Sequence, residues 1–393
     1  MHEKKNPTNK RRRPSSGARD ASRTPSRRDF LIGSGAVAVG AAISAASSRR
    51  VLGANDRIRL GIIGCGGMGT GHIQHFAADD GAFAHQTNTA ITAVCDVFDP
   101  RKERAEAMSG GAKVFHNYQD LISSGLVDAV IIASPEHWHY RQALDATHAG
   151  LDVYLQKAMT RTFAEAKSLY QEVGKRDCVF QLGSQYMRTP TWARARELFD
   201  EGLVGKMTLC QTSYCRNSRD GEWNYRHEPE ARPGENLDWK AWLGPLTYTA
   251  FNPDYFFRWR KYKLFSAGII TDLLPHKIHT LSYVIGPRFP KRVTALGGIY
   301  VHPDREVADT VVVTIEFDDF TMLVPGSTSN EVGLEDLIRG HRGNLYVGGN
   351  TVRLVPERAY ADEFDAIEER VQPAAMGQHQ AHLLEWVECI RSR

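Results

Sequence analysis

Short apolar runs alternate with longer amphipathic stretches from residue 57 to about residue 182. The runs are Arg57–Ile63 (RIRLGII), Ala90–Phe98 (AITAVCDVF), Asp128–Ala133 (DAVIIA) and Asp152–Gln156 (DVYLQ), with a further strand predicted at 178–182. Helices are predicted after Gly69, near 137–149 and over 162–175. Continuous apolar runs mark strands buried on both faces, and their alternation with helices predicts a parallel, doubly wound sheet. From residue 183 the pattern changes. A helix near 190–202 is followed by strands near 206–216, 292–301, 309–318 and 320–326, and by a pair near 336–355. Those spacings predict an open, mostly antiparallel sheet, so the fold class is an α/β domain over 56–182 joined to an α+β domain over 183–393.

Composition narrows the class. A chain of 393 residues with 42% hydrophobic and 24% charged positions is neither disordered, collagen-like nor coiled-coil. The formal charge of +3 is unevenly spread. Residues 1–50 carry twelve Lys/Arg against three Asp/Glu, a net of +9, which leaves −6 on the rest. The body therefore gives no reason to expect nucleic acid as a partner. Six cysteines without a CxxC pair do not make a disulfide scaffold. Cys210 and Cys215 are spaced to bridge in an oxidising compartment, but buried free thiols are the simpler expectation.

The basic leader has its own reading. Ser26-Arg27-Arg28-Asp29-Phe30-Leu31 precedes a weakly hydrophobic run from Leu31 to Ala46, shorter than the ~20 residues a membrane span needs. The twin arginines with Phe-Leu close behind resemble the Tat export signal. Residues 1–50 are expected to be removed, leaving a periplasmic or secreted protein with no stable membrane span.

The first predicted strand runs into Gly64-Cys65-Gly66-Gly67-Met68-Gly69, in which Gly64, Gly66 and Gly69 fit GxGxxG. Glycines there give a tight turn, let the backbone approach a pyrophosphate and seat the helix on the strand; the helix N-terminus favours the negative charge. Asp96, near the end of the next strand, is placed to accept ribose hydroxyls and repel a 2′-phosphate, which favours NAD. Its distance from Gly69 exceeds the usual ~20 residues, and a polar insertion across 79–89 accounts for the excess. Arg101 and Lys102 keep NADP open. Ser134, Pro135, His137, His139 and Lys157 all fall at carboxyl ends of strands, where ligands of such sheets bind. Gly64, Gly66, Gly67, Met68, Gly69, Asp96, Ser134, Pro135, His139 and Lys157 are the expected cofactor residues.

Several motifs in order resemble the Gfo/Idh/MocA oxidoreductase family, from about residue 57 to the C-terminus. They are IGCGGMG, the Asp96 strand end, SPEHWHY (134–140), DVYLQKAMT (152–160), DWKAWLGP (238–245) and TDLLPHKIH (271–279). The resemblance implies a Rossmann domain, a sugar- or polyol-directed second domain and homo-oligomers. Two departures stand out. Gln156-Lys157-Ala158 replaces the family's Glu-Lys-Pro, and the family's Asp-x-x-x-His-x-x-Asp reads here as Asp272, His276 and His279.

The chemistry follows from residue type and position. Lys157, at a strand end, is expected to donate to the substrate oxygen and steady alkoxide charge, and burial would lower its pKa. His276 is the expected general base, with Asp272 four residues earlier to orient it; Pro275 implies that Asp272 precedes the regular helix. His279 and Tyr186 are further expected substrate contacts. No metal-ligand spacing appears, so none is expected. In the aromatic-rich stretch 223–262, Trp223, Trp239, Trp242 and Trp259 either pack or stack on a sugar ring. The expected activity is hydride transfer between tightly held NAD(P) and a carbohydrate or polyol hydroxyl. Cleavage of a glycoside by transient oxidation and elimination, with Tyr186 or Tyr225 as acid, is the alternative; a sugar-binding protein with a vestigial nucleotide site is the non-catalytic one.

Overall fold

The computed structural model describes residues 56–77 and 81–393. The leader and its twin arginines lie outside the described residues. Everything below lies within the unit Arg49–Arg393.

Six parallel strands form the first sheet in the order β3-β2-β1-β4-β5-β6: β1 Ile58–Ile63, β2 Thr89–Cys95, β3 Lys113–Phe115, β4 Ala129–Ile132, β5 Asp152–Gln156 and β6 Phe180–Gly183. The order reverses between β1 and β4, the switch point at which such sheets open a crevice. β4 and β5 are buried at every position, as their apolar runs predicted. The short β3 and the helix Tyr118–Ser123, which Asn117 caps, carry too little periodicity to show in the pattern. The insertion read at 79–89 holds a short helix, Ala82–Thr87. A capping box, with Thr162 and Glu165 each accepting from the other's backbone N–H, starts the helix Phe163–Val173.

The second sheet has ten strands, mostly antiparallel: β7 Met207–Gln211, β8 Tyr214–Asn217, β9 Arg292–Gly298, β10 Thr310–Glu316, β11 Thr321–Ser327, β12 Ser329–Asn330, β13 Asp336–Gly340, β14 Gly343–Gly348, β15 Thr351–Pro356 and β16 Ile367–Arg370. The helices Pro190–Asp200 and Leu274–Ile285 bury Trp192, Leu198 and Leu281 in one core with sheet residues such as Met322 and Val324. The predicted fold class is the observed one.

The C-terminal helix Gln378–Ser392 does not join that core. Its Leu383, Trp386, Val387 and Ile390 pack with Ile58, Leu60 and Ile62 of the first sheet, and Arg393 pairs with buried Asp152. Its amphipathic stripe was legible, but its destination was not, so 183–393 is not one contiguous domain. A third apolar cluster joins Phe98, at the exit of β2, to Leu237, Trp239, Trp242, Phe256 and Phe257. The cysteines among the described residues are all free, Cys210 and Cys215 included. Among those residues no helix is long and apolar enough to cross a membrane.

Candidate active site

β1 delivers the chain into the glycine turn. Gly64 adopts φ +88°, and a Cβ there would lie 2.6 Å from the Ser134 nitrogen. A Cβ on Gly69 would stand 1.9 Å from the Gly64 oxygen, so this glycine seats the helix Gly67–Ala77 on the strand and does not line the cleft. Gly67 differs: a Cβ there meets nothing within 4 Å. Gly64, Gly66, Gly67 and Met68 form one end of a cleft of about 1170 Å³ that extends to Lys157 and His276. That exceeds the roughly 300–1,000 Å³ of a usual small-ligand pocket.

Asp96 lines the same cleft and ties the turn to β2. Its Oδ2 accepts from the Cys65 N–H at 2.7 Å and its Oδ1 from the Phe98 N–H at 3.0 Å. A carboxylate has about four acceptor positions, so two are left for a ligand. Ser134, Pro135 and His139 line the cleft as well, with Ser134 packed directly against Gly64. The Ser134 hydroxyl donates to Gln142 at 2.6 Å, and the His139 ring lies between the Ala158 and Ser134 carbonyls at 2.5 and 2.8 Å. An open glycine floor at a helix N-terminus, with a carboxylate at the next strand end, fits a dinucleotide.

At the other end, Lys157 follows the last residue of β5, and its peptide bond to Ala158 is cis. Its ammonium donates to Asp272 Oδ1. Arg260 Nε donates to the same oxygen at 2.9 Å, and buried Trp223 Nε1 donates to Oδ2 at 3.1 Å. The Lys157 and Asp272 side chains are only 10% and 8% exposed. Burial works to raise the Asp272 carboxyl, but Arg260 and Lys157 outweigh it and hold the group well below the usual carboxylate range. Burial pushes Lys157 down, with Asp272 opposing and Arg260 adding to the effect.

His276 faces the same cleft, but its expected partner is elsewhere. Asp272 closes the short helix Ile269–Asp272, Leu273 breaks the path, and Pro275 sits in the first turn of Leu274–Ile285. The carboxylate therefore turns to Lys157 and Arg260 and makes no hydrogen bond with the imidazole, correcting the expected orienting role. His276 Nδ1 has no hydrogen-bond partner, and the Tyr186 ring stacks on the imidazole at 4.5 Å. Burial, then the Lys157 charge, lowers its pKa to about 3, so it stays neutral at neutral pH. Tyr186 and His279 do not line the cleft. Tyr186 backs His276, and His279 Nδ1 meets the Ser184 hydroxyl behind the wall, with its pKa lowered to about 4 by burial. Both depart from the substrate contacts expected of them.

Arg260 is the functional side chain that sequence reasoning missed, and Trp223, expected to pack or to stack on a sugar, donates to Asp272 instead. Both lie in the aromatic-rich stretch, and no spacing rule links them to Asp272. Glu136, inside SPEHWHY, is a second missed side chain. It accepts from Ser266 Oγ at 3.0 Å behind the cleft wall, and burial followed by the Asp272 charge raises it to about 7. Tyr225 lines the cleft, as do Tyr214 and Trp259. Among the described residues no group of three His, Cys, Asp or Glu is gathered to hold a metal.

A doubly wound sheet whose strand ends open onto a second, sheet-built domain, with a glycine turn at one end of the cleft and a lysine–aspartate pair at the other, defines a two-domain dinucleotide-binding protein. Residues 58–184 match the oxidoreductase family with the NAD-binding Rossmann fold, and residues 246–345 match the GFO/IDH/MocA C-terminal domain. The chain belongs to the GFO/IDH/MocA oxidoreductase family, whose first domain binds NAD. It is 29% identical over 257 residues to glycosyl hydrolase family 109 protein 2 of Shewanella sp. (strain ANA-3), covering 56% of this chain and 54% of that protein. It is 24% identical over 232 residues to levoglucosan dehydrogenase of Pseudarthrobacter phenanthrenivorans, covering 59% and 52%. The matched stretch thus spans about half the length of these curated relatives. A solved levoglucosan dehydrogenase in complex with NADH and levoglucosan has the same fold, with a TM-score of 0.64 at 19% identity over 86% of this chain and 90% of that one.

Proposed function

We propose that the protein is an NAD-dependent oxidoreductase acting on a hydroxyl of a carbohydrate or polyol. The observation that carries the reading is the single cleft joining the open glycine floor to Lys157 and His276. NAD, when bound, supplies the acceptor for the hydride that leaves the substrate carbon. Gly64, Gly66, Gly67, Met68, Asp96, Ser134 and Pro135 hold it. Lys157, fixed by Asp272, offers an N–H to the substrate oxygen and steadies charge that builds there. His276, which lines the cleft and is kept neutral by burial, accepts the hydroxyl proton. Arg260 and Trp223 keep Asp272 aligned.

The twin-arginine pattern at Arg27-Arg28 supports export by the Tat route, with the coenzyme loaded beforehand and retained through a closed redox cycle. The exposed apolar side chains Val293, Leu296 and Val312 on β9 and β10 support a homo-oligomer. Similarity to the family 109 glycosyl hydrolase supports a second reading, oxidative glycoside cleavage. Tyr225 is then the acid, since it lines the cleft and Tyr186 does not.

One experiment tests both. The purified protein is incubated with a panel of sugars, polyols and glycosides while its nicotinamide absorbance and the products are followed. Reduction of NAD with a carbonyl product supports the first reading, and a released aglycone without net reduction supports the second. No bound nucleotide and no turnover of any panel member refutes both.

A further inference from the structure

The two basic residues that kept NADP open meet different partners. Lys102 Nζ pairs with Asp99 at 2.6 Å, lies 3.3 Å from His116 Nδ1 and does not line the cleft. Arg101 does line it. A Cβ on Gly66 would come within 3.4 Å of Arg101 Nη1, so the guanidinium reaches the rim of the glycine turn, beside Asp96.

Arg101 is held from the other domain. Its Nε and Nη2 donate to Glu228 Oε1 at 3.2 and 2.8 Å, across 127 positions of sequence. The guanidinium lies over the rings of Phe256 at 4.8 Å, Phe257 at 5.5 Å and Phe98 at 5.6 Å. The backbone fixes the same approach, because the Asp99 N–H donates to Asn236 at 2.8 Å and the Asp238 N–H to Val97 at 2.9 Å. The two ionic side chains are 18% and 28% exposed, so the pair is partly shielded from water.

A phosphate on the adenosine ribose needs a cation with free N–H groups, and a guanidinium is the side chain best shaped to supply them. Here the cation beside the turn has its charge matched and two of its N–H groups turned to a carboxylate. Asp96 adds a second negative charge at the same rim. We propose that Glu228 is a specificity-determining residue for the coenzyme. It occupies Arg101 and closes the cleft to the 2′-phosphate, so that NAD is taken in preference to NADP. The proposal rests on the reading that this cleft holds a nicotinamide dinucleotide.

Calorimetric titration of the full chain, stripped of nucleotide on charcoal and checked by mass spectrometry, with NAD and with NADP tests it in the wild type, in Glu228→Gln and in the double variant Arg101→Gln/Glu228→Gln. Glu228→Gln is expected to improve NADP affinity relative to NAD by roughly two- to fivefold, the scale of one partly exposed ion pair. The double variant is expected to lose that gain. An unchanged ratio in Glu228→Gln overturns the proposal, and so does a gain that persists without Arg101. Wild-type protein that binds neither nucleotide overturns it together with the reading beneath it, whereas wild-type binding of NAD with an unmoved ratio overturns the Glu228 role alone.

Discussion

The Lys157 ammonium donates to Asp272 Oδ1 across 115 positions of sequence, joining the end of β5 in the first domain to a short helix of the second. The pair forms one end of the interdomain cleft. Asp272 also receives Arg260 and Trp223, so two cations and an indole N–H converge on one carboxylate. Because most of its acceptor positions are filled, Asp272 serves to place Lys157 and not to take a proton.

Lys157→Ala is expected to lower kcat by roughly 10²–10⁴-fold, the usual range for losing a positioned proton donor or acceptor. Bound nucleotide should stay, since the glycine turn is untouched. The stability cost should fall below the ~3–5 kcal/mol of orphaning a buried ion, because Arg260 still pairs with Asp272. Turnover, nucleotide content by mass spectrometry and urea unfolding check the three parts. Undiminished turnover would remove Lys157 from the chemistry.

Arg260→Met separates electrostatics from packing. Arg260 helps to depress Lys157, so its removal should move the Lys157 titration up in pH, and with it the corresponding limb of the kcat profile. Asp272 should also titrate higher, since it loses the neighbour that most lowers it. A kcat–pH profile of the variant with both limbs unmoved would show that the guanidinium exerts no field at the lysine.

Much of this architecture was legible in the chain. Buried parallel strands write continuous apolar runs, and the glycine turn has steric demands that few other residues meet. The dyad expected from the four-residue spacing of Asp272 and His276 was not observed, because Pro275 starts a new helix between them and frees the carboxylate to turn away. The bonds of Arg260 and Trp223 to Asp272 could not be found from sequence, since that partner is fixed by tertiary packing and the aromatic stretch around them reads as core. The C-terminal helix showed its stripe, but a stripe does not name the sheet it covers.

The glycine turn offers a paired test. Gly67→Ala places a methyl in open cleft space and improves the first turn of a helix, so folding stability should hold or rise by up to ~1 kcal/mol. NAD affinity should fall by about tenfold or more, because the methyl takes up diphosphate space. Gly69→Ala drives its methyl into the Gly64 backbone and should cost about 1–3 kcal/mol of stability. Calorimetry with NAD and urea unfolding distinguish the two. Equal NAD binding by wild type and Gly67→Ala would mean that the diphosphate does not lie on this turn.

Stability should depend on pH through six histidines depressed by burial, of which His139 and His279 are lowered to about 4. Burial lowers His72, His137, His276 and His382 from 6.5 to about 3, and His137 keeps one ring nitrogen unpartnered while the other faces the Trp242 carbonyl at 2.9 Å. Above pH 6.5 neither the folded nor the unfolded chain protonates these rings, and their full contribution is present, while buried Glu136, raised to about 7, works in the opposite direction. As pH falls below 6.5 the unfolded chain takes up protons that the folded rings refuse, so their contribution declines until the folded groups titrate near pH 4 and 3. Each ring contributes up to about 1.4 kcal/mol per pH unit in that window. Asp272 acts in the same direction, but only below its unfolded value of 3.8. His137→Gln retains a donor for Trp242 and should flatten the slope between pH 6 and 4 by up to about one proton, with little change at pH 8. Urea unfolding across that range measures it, and a slope identical to wild type would mean that His137 titrates alike in the folded and unfolded chain.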